Sequence, residues 1–286
     1  MNNSKETVMK YVFMISALMS IVALITIIYF IFANGLPIMF RYGFSDFIFG
    51  TEWRPSNSPP MYGLLPMIVG SLYATIGAAI VGVPVGVLTA VFMAHFCPDW
   101  LYKILKPAIK LMASIPSIVM GFFALRVIVP AIRENFGGRG FSMLAAISIL
   151  AIMILPTIIE LSESSIRSVP KTYYSASVAM GATHERSVMN VVVPAAKSGV
   201  LSSVVLGIGR AIGETMAVVL VAGNQPIMPG GLLDGMRTLT INIVLEMGYA
   251  SGEHREALIA TAVVLFVFIF IINGGFLILK NRGDDY

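Results

Sequence analysis

Two long stretches of this chain carry no charged residue. Residues 11–33 and 257–279 each run for 23 positions without Lys, Arg, Asp or Glu, and a helix needs about 20 apolar residues to cross a bilayer. The whole chain agrees, since 57% of its 286 residues are hydrophobic and 12% are charged, against about 25% charged in soluble domains. The sequence therefore predicts an integral membrane protein and excludes a soluble enzyme, a disulfide scaffold and a disordered chain.

Four further apolar segments give an all-α membrane fold with six transmembrane helices. The motif Asn-Gly-Leu-Pro at residues 34–37 predicts the end of the first helix. We expect residues 1–63 to form an N-terminal helix with an extracytoplasmic segment, and residues 64–286 to form a five-helix core domain with a cytoplasmic loop at 160–194. The predicted spans are 11–33, 64–94, 104–132, 141–159, 199–223 and 257–279.

The distribution of basic residues predicts the orientation. With the N-terminus inside, 11 of the 19 Lys and Arg residues lie in cytoplasmic segments, 6 lie in outer loops, and Arg126 and Arg210 lie within spans. Cytoplasmic loops of membrane proteins carry the excess of Lys and Arg. Both termini are therefore predicted to be cytoplasmic, and the net charge of +4 indicates membrane topology and not nucleic-acid binding.

The sequence gives no support for a metal site, a cofactor or catalytic chemistry. Cys97 is the single cysteine, the three histidines lie far apart along the chain, and no phosphate-binding GxxxxGK[ST] loop occurs. Because the chain has no such loop, ATP-derived energy would have to come from another polypeptide.

The predicted inner loop at residues 160–194 is polar and compatible with helix. Thr172 and Thr183 are candidate N-caps for two short helices, Gly181 permits a reversal with positive φ, and Pro194 indicates the turn into the next span. From these residues alone, an amphipathic helical pair on the membrane surface explains the loop equally well.

Within this loop, residues 175–194 resemble the coupling loop of ABC importer permeases, which carries E-A-A, three residues, Gly, nine residues and I-x-L-P. We call these residues the coupling segment. Its spacing matches the motif throughout, but Ser175 replaces the acidic residue and valines replace Ile and Leu. The resemblance makes Ser175, Ala176, Ser177, Gly181, Ala182 and Pro194 the candidate residues for coupling to the ATPase.

Three other motifs are similar to the PstC-type permease subunit of phosphate importers. They are FGTEWRP at residues 49–55, IPSIVMGF at 115–122 and GRAIGETMA at 209–217. The resemblance implies the MetI-like fold of type I ABC importer permeases in the cytoplasmic membrane of a prokaryote. It implies no enzymatic activity in this chain, and it implies four kinds of partner: a PstA-type permease, two ATPase subunits, an extracytoplasmic phosphate-binding protein and the phosphate itself.

Arg210 and Glu214 are charged residues inside the predicted fifth span. Arg210 lies about 16 Å into this span at 1.5 Å per residue, where a charge needs a partner or a water-filled path. A guanidinium suits an oxyanion, but a helical Arg210–Glu214 pair would also explain both residues. The resemblance favours a place for Arg210, Glu214 and Thr215 in the substrate pathway.

Ser114 and Ser117 flank Pro116 in the predicted third span. Pro116 frees a backbone carbonyl, and nearby hydroxyl or N–H groups can bind an anion. A simple helix kink is an equally good explanation.

Three alternative functions remain open. An ABC permease for another oxyanion, such as sulfate or molybdate, is the nearest. An ATP-independent channel or carrier would lack a use for the coupling segment, and a membrane-embedded enzyme would need a constellation of reactive residues that the spans do not show.

Overall fold

The computed structural model describes residues 3–283, with side chains over residues 6–275. This part of the chain is mostly helical, with one antiparallel hairpin, β1–β2, and connecting loops, as expected where lipid offers the backbone no hydrogen-bond partner. The elements in chain order are α1 (Asn3–Tyr42), α2 (Phe44–Phe49), β1 (Trp53–Arg54), β2 (Met61–Tyr62), α3 (Leu65–Val91), α4 (Asp99–Ser114), α5 (Ser117–Phe136), α6 (Met143–Arg167), α7 (Lys171–Ala179), α8 (His184–Ser187), α9 (Val193–Ala195), α10 (Lys197–Gly213), α11 (Met216–Val219), α12 (Leu239–Glu246) and α13 (Gly252–Gly283), with π-helical turns at Phe92–Phe96 and Val188–Val192.

The predicted membrane class is confirmed. In the described residues, four helices are long and apolar enough to cross a bilayer, namely α1, α3 with its π-turn, α6 and α13. Two bent helix pairs bring the number to six if each pair is one span.

The prediction that the first helix ends at residues 34–37 is wrong. Helix α1 continues to Tyr42 with Pro37 inside it. The reason is packing against α13, because a Cβ atom on Gly35 would lie 2.9 Å from Cα of Ala260. Gly35 therefore allows close helix contact and does not end the helix.

The predicted third span, 104–132, is two helices and not one. Helix α4 ends at Ser114, α5 begins at Ser117, and the two axes differ by 99°. Pro116 cannot donate a backbone hydrogen bond and forces the preceding residue out of the helical region. Ile115 is accordingly extended, with φ −66° and ψ 126°.

The predicted fifth span, 199–223, is also interrupted. Helix α10 ends at Gly213, Glu214 is extended with φ −70° and ψ 127°, and the short helix α11 follows. The inner loop differs from the prediction as well, because α6 continues to Arg167. The first eight residues of the predicted loop 160–194 therefore belong to helix α6.

Small residues set the spacing of the central helices. Added Cβ atoms on Gly82 and Gly86 of α3 would lie 2.6 Å from Ile154 and 2.8 Å from Ile158 of α6, and one on Gly207 of α10 would lie 2.7 Å from the same Ile158. Helices α3 and α10 therefore pack closely on α6, as glycines permit in membranes.

The bundle has two ends, which we call the hairpin end and the α7 end. Helix α3 begins beside the hairpin, where the Leu64 N–H donates to the carbonyl of Phe47 over 2.9 Å. Its π-turn reaches the α7 end, where the His95 carbonyl accepts from His184 Nε2 at 3.2 Å. The termini, for which a cytoplasmic location is predicted, lie at residues 1–2 and 284–286, outside the described residues.

A buried carboxylate holds the hairpin end together. Glu246 of α12 is only 6% exposed, and it accepts hydrogen bonds from Trp53 Nε1 at 2.9 Å, from His254 Nε2 at 2.8 Å and from Arg237. Burial alone would raise the pKa of Glu246, but the hydrogen bonds from Trp53, His254 and Arg237 outweigh it and hold the pKa below its usual value. This one side chain joins β1, the 223–238 loop, α12 and α13.

We predict that Glu246→Gln lowers the stability of the protein by about 3 kcal/mol, because it leaves Arg237 buried without its charged partner. The group has a depressed pKa in the folded state, so its stabilising effect is complete above the unfolded-state pKa and is lost as the pH falls through the folded-state pKa. The thermal midpoint of the purified wild type should fall as the pH is lowered through that acidic range. The Gln variant should lack this pH-dependent fall. Identical pH profiles for the two proteins would contradict the prediction.

Candidate functional site

The two helix interruptions at Pro116 and Glu214 lie on neighbouring helices. Gly121, four residues into α5, packs so closely on α11 that an added Cβ atom would lie 2.7 Å from Cα of Ala217. Ala217 is itself three residues beyond Glu214. The structure therefore brings the start of α5 next to the segment that follows α10.

Arg210 lies in the last turn of α10 and contacts α6. Its Nη1 donates to Thr157 Oγ1 at 3.3 Å, and the residue is half-buried. The predicted Arg210–Glu214 pair on one helical face is wrong, because α10 ends at Gly213 and Glu214 is no longer helical. Among the described side chains, Arg210 is thus held by a neutral hydroxyl and not by a carboxylate.

Glu214 and Thr215 instead bond to the interrupted backbone. Glu214 Oε1 accepts from the Ala217 N–H at 3.2 Å, at the start of α11, and Thr215 Oγ1 donates to the Gly213 carbonyl at 3.3 Å. These contacts satisfy a donor and an acceptor that the helix interruption frees. In this conformation both side chains stabilise the interruption.

Ser114 and Ser117 have different surroundings. Ser114 is exposed, and its hydroxyl donates to the Lys110 carbonyl at 2.7 Å within α4. Ser117 is the first residue of α5, whose N-cap is Pro116 and whose N-terminus has no side-chain cap. Ser117 thus lies at an uncapped helix N-terminus, whereas Ser114 does not take part in that terminus.

The arrangement favours a negatively charged ligand. The uncapped N-terminus of α5 presents backbone N–H groups and the positive end of a helix dipole. Arg210 adds a full positive charge on a membrane-spanning helix pair, and interrupted helices at mid-membrane depth are typical of substrate sites in transporters. The region can therefore bind an anion through charge and hydrogen bonds.

The coupling segment forms two short helices joined by a tight turn. Ser175, Ala176 and Ser177 lie in α7, and Gly181 follows it with φ +87°, as predicted. Thr183 caps α8, its hydroxyl accepting from the Arg186 N–H at 3.4 Å.

Two further predictions for this region have different outcomes. The N-cap of α7 is Pro170, so the prediction that Thr172 caps it is wrong and Thr172 lies inside the helix. Ala182 lies in the turn, and Pro194 lies in α9, directly before the 69° bend into α10. The predicted turn near Pro194 is confirmed.

A family model described as the inner membrane component of binding-protein-dependent transport systems matches residues 82–282. The chain belongs to this family. It is accordingly a membrane permease subunit of an ABC importer, a class of transporter that works with partner permease, ATPase and binding proteins.

Individual members of this permease family are similar over most of the chain. A probable ABC transporter permease protein, YqgH of Bacillus subtilis, is 40% identical over 263 residues, covering 90% of this chain and 85% of its own length. The phosphate transport system permease protein PstC of Pasteurella multocida is 32% identical, covering 81% and 78%, and that of Haemophilus influenzae is 30% identical, covering 93% and 90%. The predicted similarity to PstC-type permeases is confirmed.

Solved importer structures share the fold. A chain of a bacterial ABC transporter involved in the import of the acidic polysaccharide alginate aligns with a TM-score of 0.68 at 13% identity, covering 98% of this chain and 99% of its own. A chain of the MetNI methionine transporter aligns with a TM-score of 0.62 at 20% identity, covering 77% and 95%. These likenesses confirm the predicted MetI-like architecture.

Glu160 is a charged residue of this permease for which the sequence predicts a place in the inner loop. It lies instead within the membrane-spanning helix α6, one turn from Thr157 and on the same side of the helix. Its Oε1 atom is buried and has no hydrogen-bond partner among the described residues. A charge at such a position is costly and marks a functional candidate. The sequence signal for it is that residues 160–167 contain no Gly or Pro to end the helix before Arg167.

We predict that Gly121→Ala destabilises the permease by about 1–3 kcal/mol, because the new methyl group would overlap the Ala217 backbone and α11 would have to move. Gly213→Ala is the matched control, since an added Cβ there meets nothing within 4 Å. Thermal unfolding of the detergent-purified proteins measures both. Equal midpoints for Gly121→Ala and the control would show that α5 and α11 do not pack as described.

Proposed function

We propose that this chain is the transmembrane permease subunit of an ATP-driven phosphate importer and forms half of its translocation pathway. The observation that carries the proposal is Arg210, a half-buried cation at the end of an interrupted helix whose described partner is the neutral Thr157. A guanidinium held by a hydroxyl keeps most of its charge and donors for a ligand. The similarity to curated PstC proteins supports phosphate as that ligand.

The proposed pathway runs past the two interruptions. Arg210 supplies charge, and Ser117 lies at the uncapped N-terminus of α5, which supplies backbone N–H donors. Glu214 and Thr215 hold the interruption open from the α11 side. Ser114 is bonded within α4 in this conformation. In the proposed pathway it would contact the ion only after α4 moves.

Glu160 extends the proposed pathway along α6. Phosphate near neutral pH keeps at least one P–OH group, which needs an acceptor, and the unpartnered Oε1 of Glu160 offers one. Because Glu160 lies one turn from Thr157, an ion bound by Arg210 would meet this carboxylate as it moves along α6.

The coupling segment is proposed to contact the ATPase. Helix α7 has no buried residue within this chain, so both its exposed surface and the turn at Gly181 are accessible to a partner. Ser175 donates its hydroxyl to the Lys171 carbonyl at 3.0 Å. Without a carboxylate at this position, contact through α7 would depend on shape more than on an ion pair.

The proposed assembly contains a PstA-type permease, two ATPase subunits and an extracytoplasmic phosphate-binding protein. The binding protein would dock at the hairpin end, and the ATPases at the α7 end, which places the α7 end in the cytoplasm in agreement with the Lys and Arg distribution. ATP-driven closure of the ATPases would shift the permease pair between inward and outward access through their differential affinity for the two states.

We predict that Arg210→Gln abolishes phosphate uptake while the protein still assembles, because the variant loses the positive charge but keeps the size and part of the hydrogen bonding. Uptake of labelled phosphate in cells that lack other phosphate transporters measures this, with sulfate and molybdate as competing anions. Arg126→Gln is the control, since Arg126 lies over the ring of Phe122 at 5.5 Å and outside the proposed path. Normal uptake by the Arg210 variant would refute the pathway, and competition by sulfate or molybdate would assign a different oxyanion.

We also predict that Gly181→Val uncouples the ATPase. A β-branched residue at φ +87° costs at least about 1–2 kcal/mol, so the α7–α8 turn would change shape. The expected result is less co-purified ATPase and slower uptake with a normal amount of permease in the membrane. Gly248→Val is the control, because an added Cβ there also meets open space but its φ is ordinary; an equal loss in both variants would contradict a specific role of the turn.

A further inference from the structure

The α7 end contains a cavity of about 410 Å³ between α7, the end of α6 and the π-turn after α3. Every polar side chain that lines it is a cation, an imidazole or a hydroxyl and can donate a hydrogen bond. None of the described lining residues carries a carboxylate. These polar lining residues are His95, Arg167, Lys171, Tyr174, Ser175 and His184. An environment of this kind is suited to an anion and would repel a cation.

The hydrogen bonds on its walls leave specific donors free. His184 Nε2 must donate to the His95 carbonyl, at 3.2 Å, because a carbonyl can only accept, and its Nδ1 is hydrogen-bonded to the Tyr174 hydroxyl at 2.8 Å. Both ring nitrogens of His184 are therefore used, and the ring joins α7 to the π-turn after α3. His95 Nε2, by contrast, is buried without a hydrogen-bond partner in the described part of the chain.

Two cations contribute to the same cavity. Arg167 is fixed by its Nε, which donates to Glu163 at 2.8 Å, and by its Nη2, which donates to the Met93 carbonyl at 2.8 Å. Its Nη1 has no hydrogen-bond acceptor among the described residues and keeps its donors for a ligand. Glu163 is also held by Lys106, so its charge is shared between two cations. Lys171 is exposed and has no ion-pair partner among the described residues.

The N-terminus of α7 opens on this cavity as well. Pro170 and Lys171 both line it, and with Pro170 as N-cap the nine-residue helix has no side-chain cap. Its first N–H groups and the positive end of its dipole therefore add to Lys171 and Arg167.

We propose that this cavity is a binding site for a phosphate-type oxyanion, either inorganic phosphate or the headgroup of an anionic phospholipid. The bound group accepts from Lys171, from Arg167 Nη1 and from the N-terminus of α7, and so ties α7 to the ends of α6 and α3. The site is separate from Arg210 and its surroundings. The inference rests on the proposed function only in naming α7 as the helix that contacts the ATPase.

The test uses the complex purified with this full-length chain, placed in lipid nanodiscs without ATP. In discs of phosphatidylcholine alone, equilibrium binding of labelled inorganic phosphate is measured for the wild type, Lys171→Gln and Lys171→Glu. In discs that contain phosphatidylglycerol, native mass spectrometry counts the anionic lipid molecules retained by the same three proteins. The controls are Arg186→Gln and Arg186→Glu, since Arg186 is an exposed cation on the neighbouring helix α8 that does not line the cavity.

If free phosphate is the ligand, Lys171→Gln weakens one class of phosphate sites by about tenfold or more, as expected for the loss of a charge-assisted hydrogen bond, and Lys171→Glu removes that class. If a headgroup is the ligand, phosphate binding is unchanged and both Lys171 variants retain fewer phosphatidylglycerol molecules. Equal behaviour of the Lys171 and Arg186 variants in both measurements overturns the proposal. A second contradicting result is that the Lys171 variants lose the ATPase subunits while phosphate and lipid binding stay intact. That result would show that Lys171 contacts a partner chain.

The two proposals can fail independently. Transport of an anion other than phosphate would overturn the proposed function but would leave Lys171-dependent binding as measured. Phosphate uptake that depends on Arg210, together with unchanged binding in the Lys171 variants, would overturn only this site.

Discussion

Every backbone N–H and C=O group inside a bilayer has to find a partner within the protein, since an unpaired group costs several kcal/mol in hydrocarbon. This requirement makes most of the chain helical and makes each interruption of a helix informative. At Pro116 the interruption follows from a missing N–H group. After Gly213, side chains fill it, because Glu214 accepts from the Ala217 N–H and Thr215 donates to the Gly213 carbonyl. The candidate site lies where these two interruptions meet.

Close helix contacts position that site. Lipid chains are as apolar as Leu, so helices in a membrane associate through packing and hydrogen bonds, and glycines allow the closest approach. Gly86 of α3 and Gly207 of α10 both pack against Ile158 of α6, and Gly121 of α5 packs against Ala217. These contacts fix α10 beside α6, which is why Arg210 meets Thr157 and why the start of α5 lies beside α11.

The α7 end is organised by polar contacts of a different kind. Glu163 is 1% exposed and receives hydrogen bonds from Tyr102, Lys106 and Arg167, while His184 connects α7 to the end of α3. A movement of α7 would therefore reach the end of α3 through His184, and Arg167 of α6 bonds to the same turn through the Met93 carbonyl. Such a connection suits a segment proposed to pass the motion of an ATPase to the membrane helices.

The class of protein, four of the spans and the turn at Gly181 follow from the sequence, because hydropathy and the preference of glycine for positive φ act locally. The sequence could not distinguish Pro37, which stays inside α1, from Pro116, which separates two helices at 99°, since the difference depends on whether a neighbouring helix such as α13 packs against the segment. It also placed Glu214 on a helical face with Arg210 and placed Glu160 in a loop. The surroundings of Glu214 and Glu160 are visible only in the folded chain, because the end of α10 and the length of α6 depend on contacts between residues far apart in the chain.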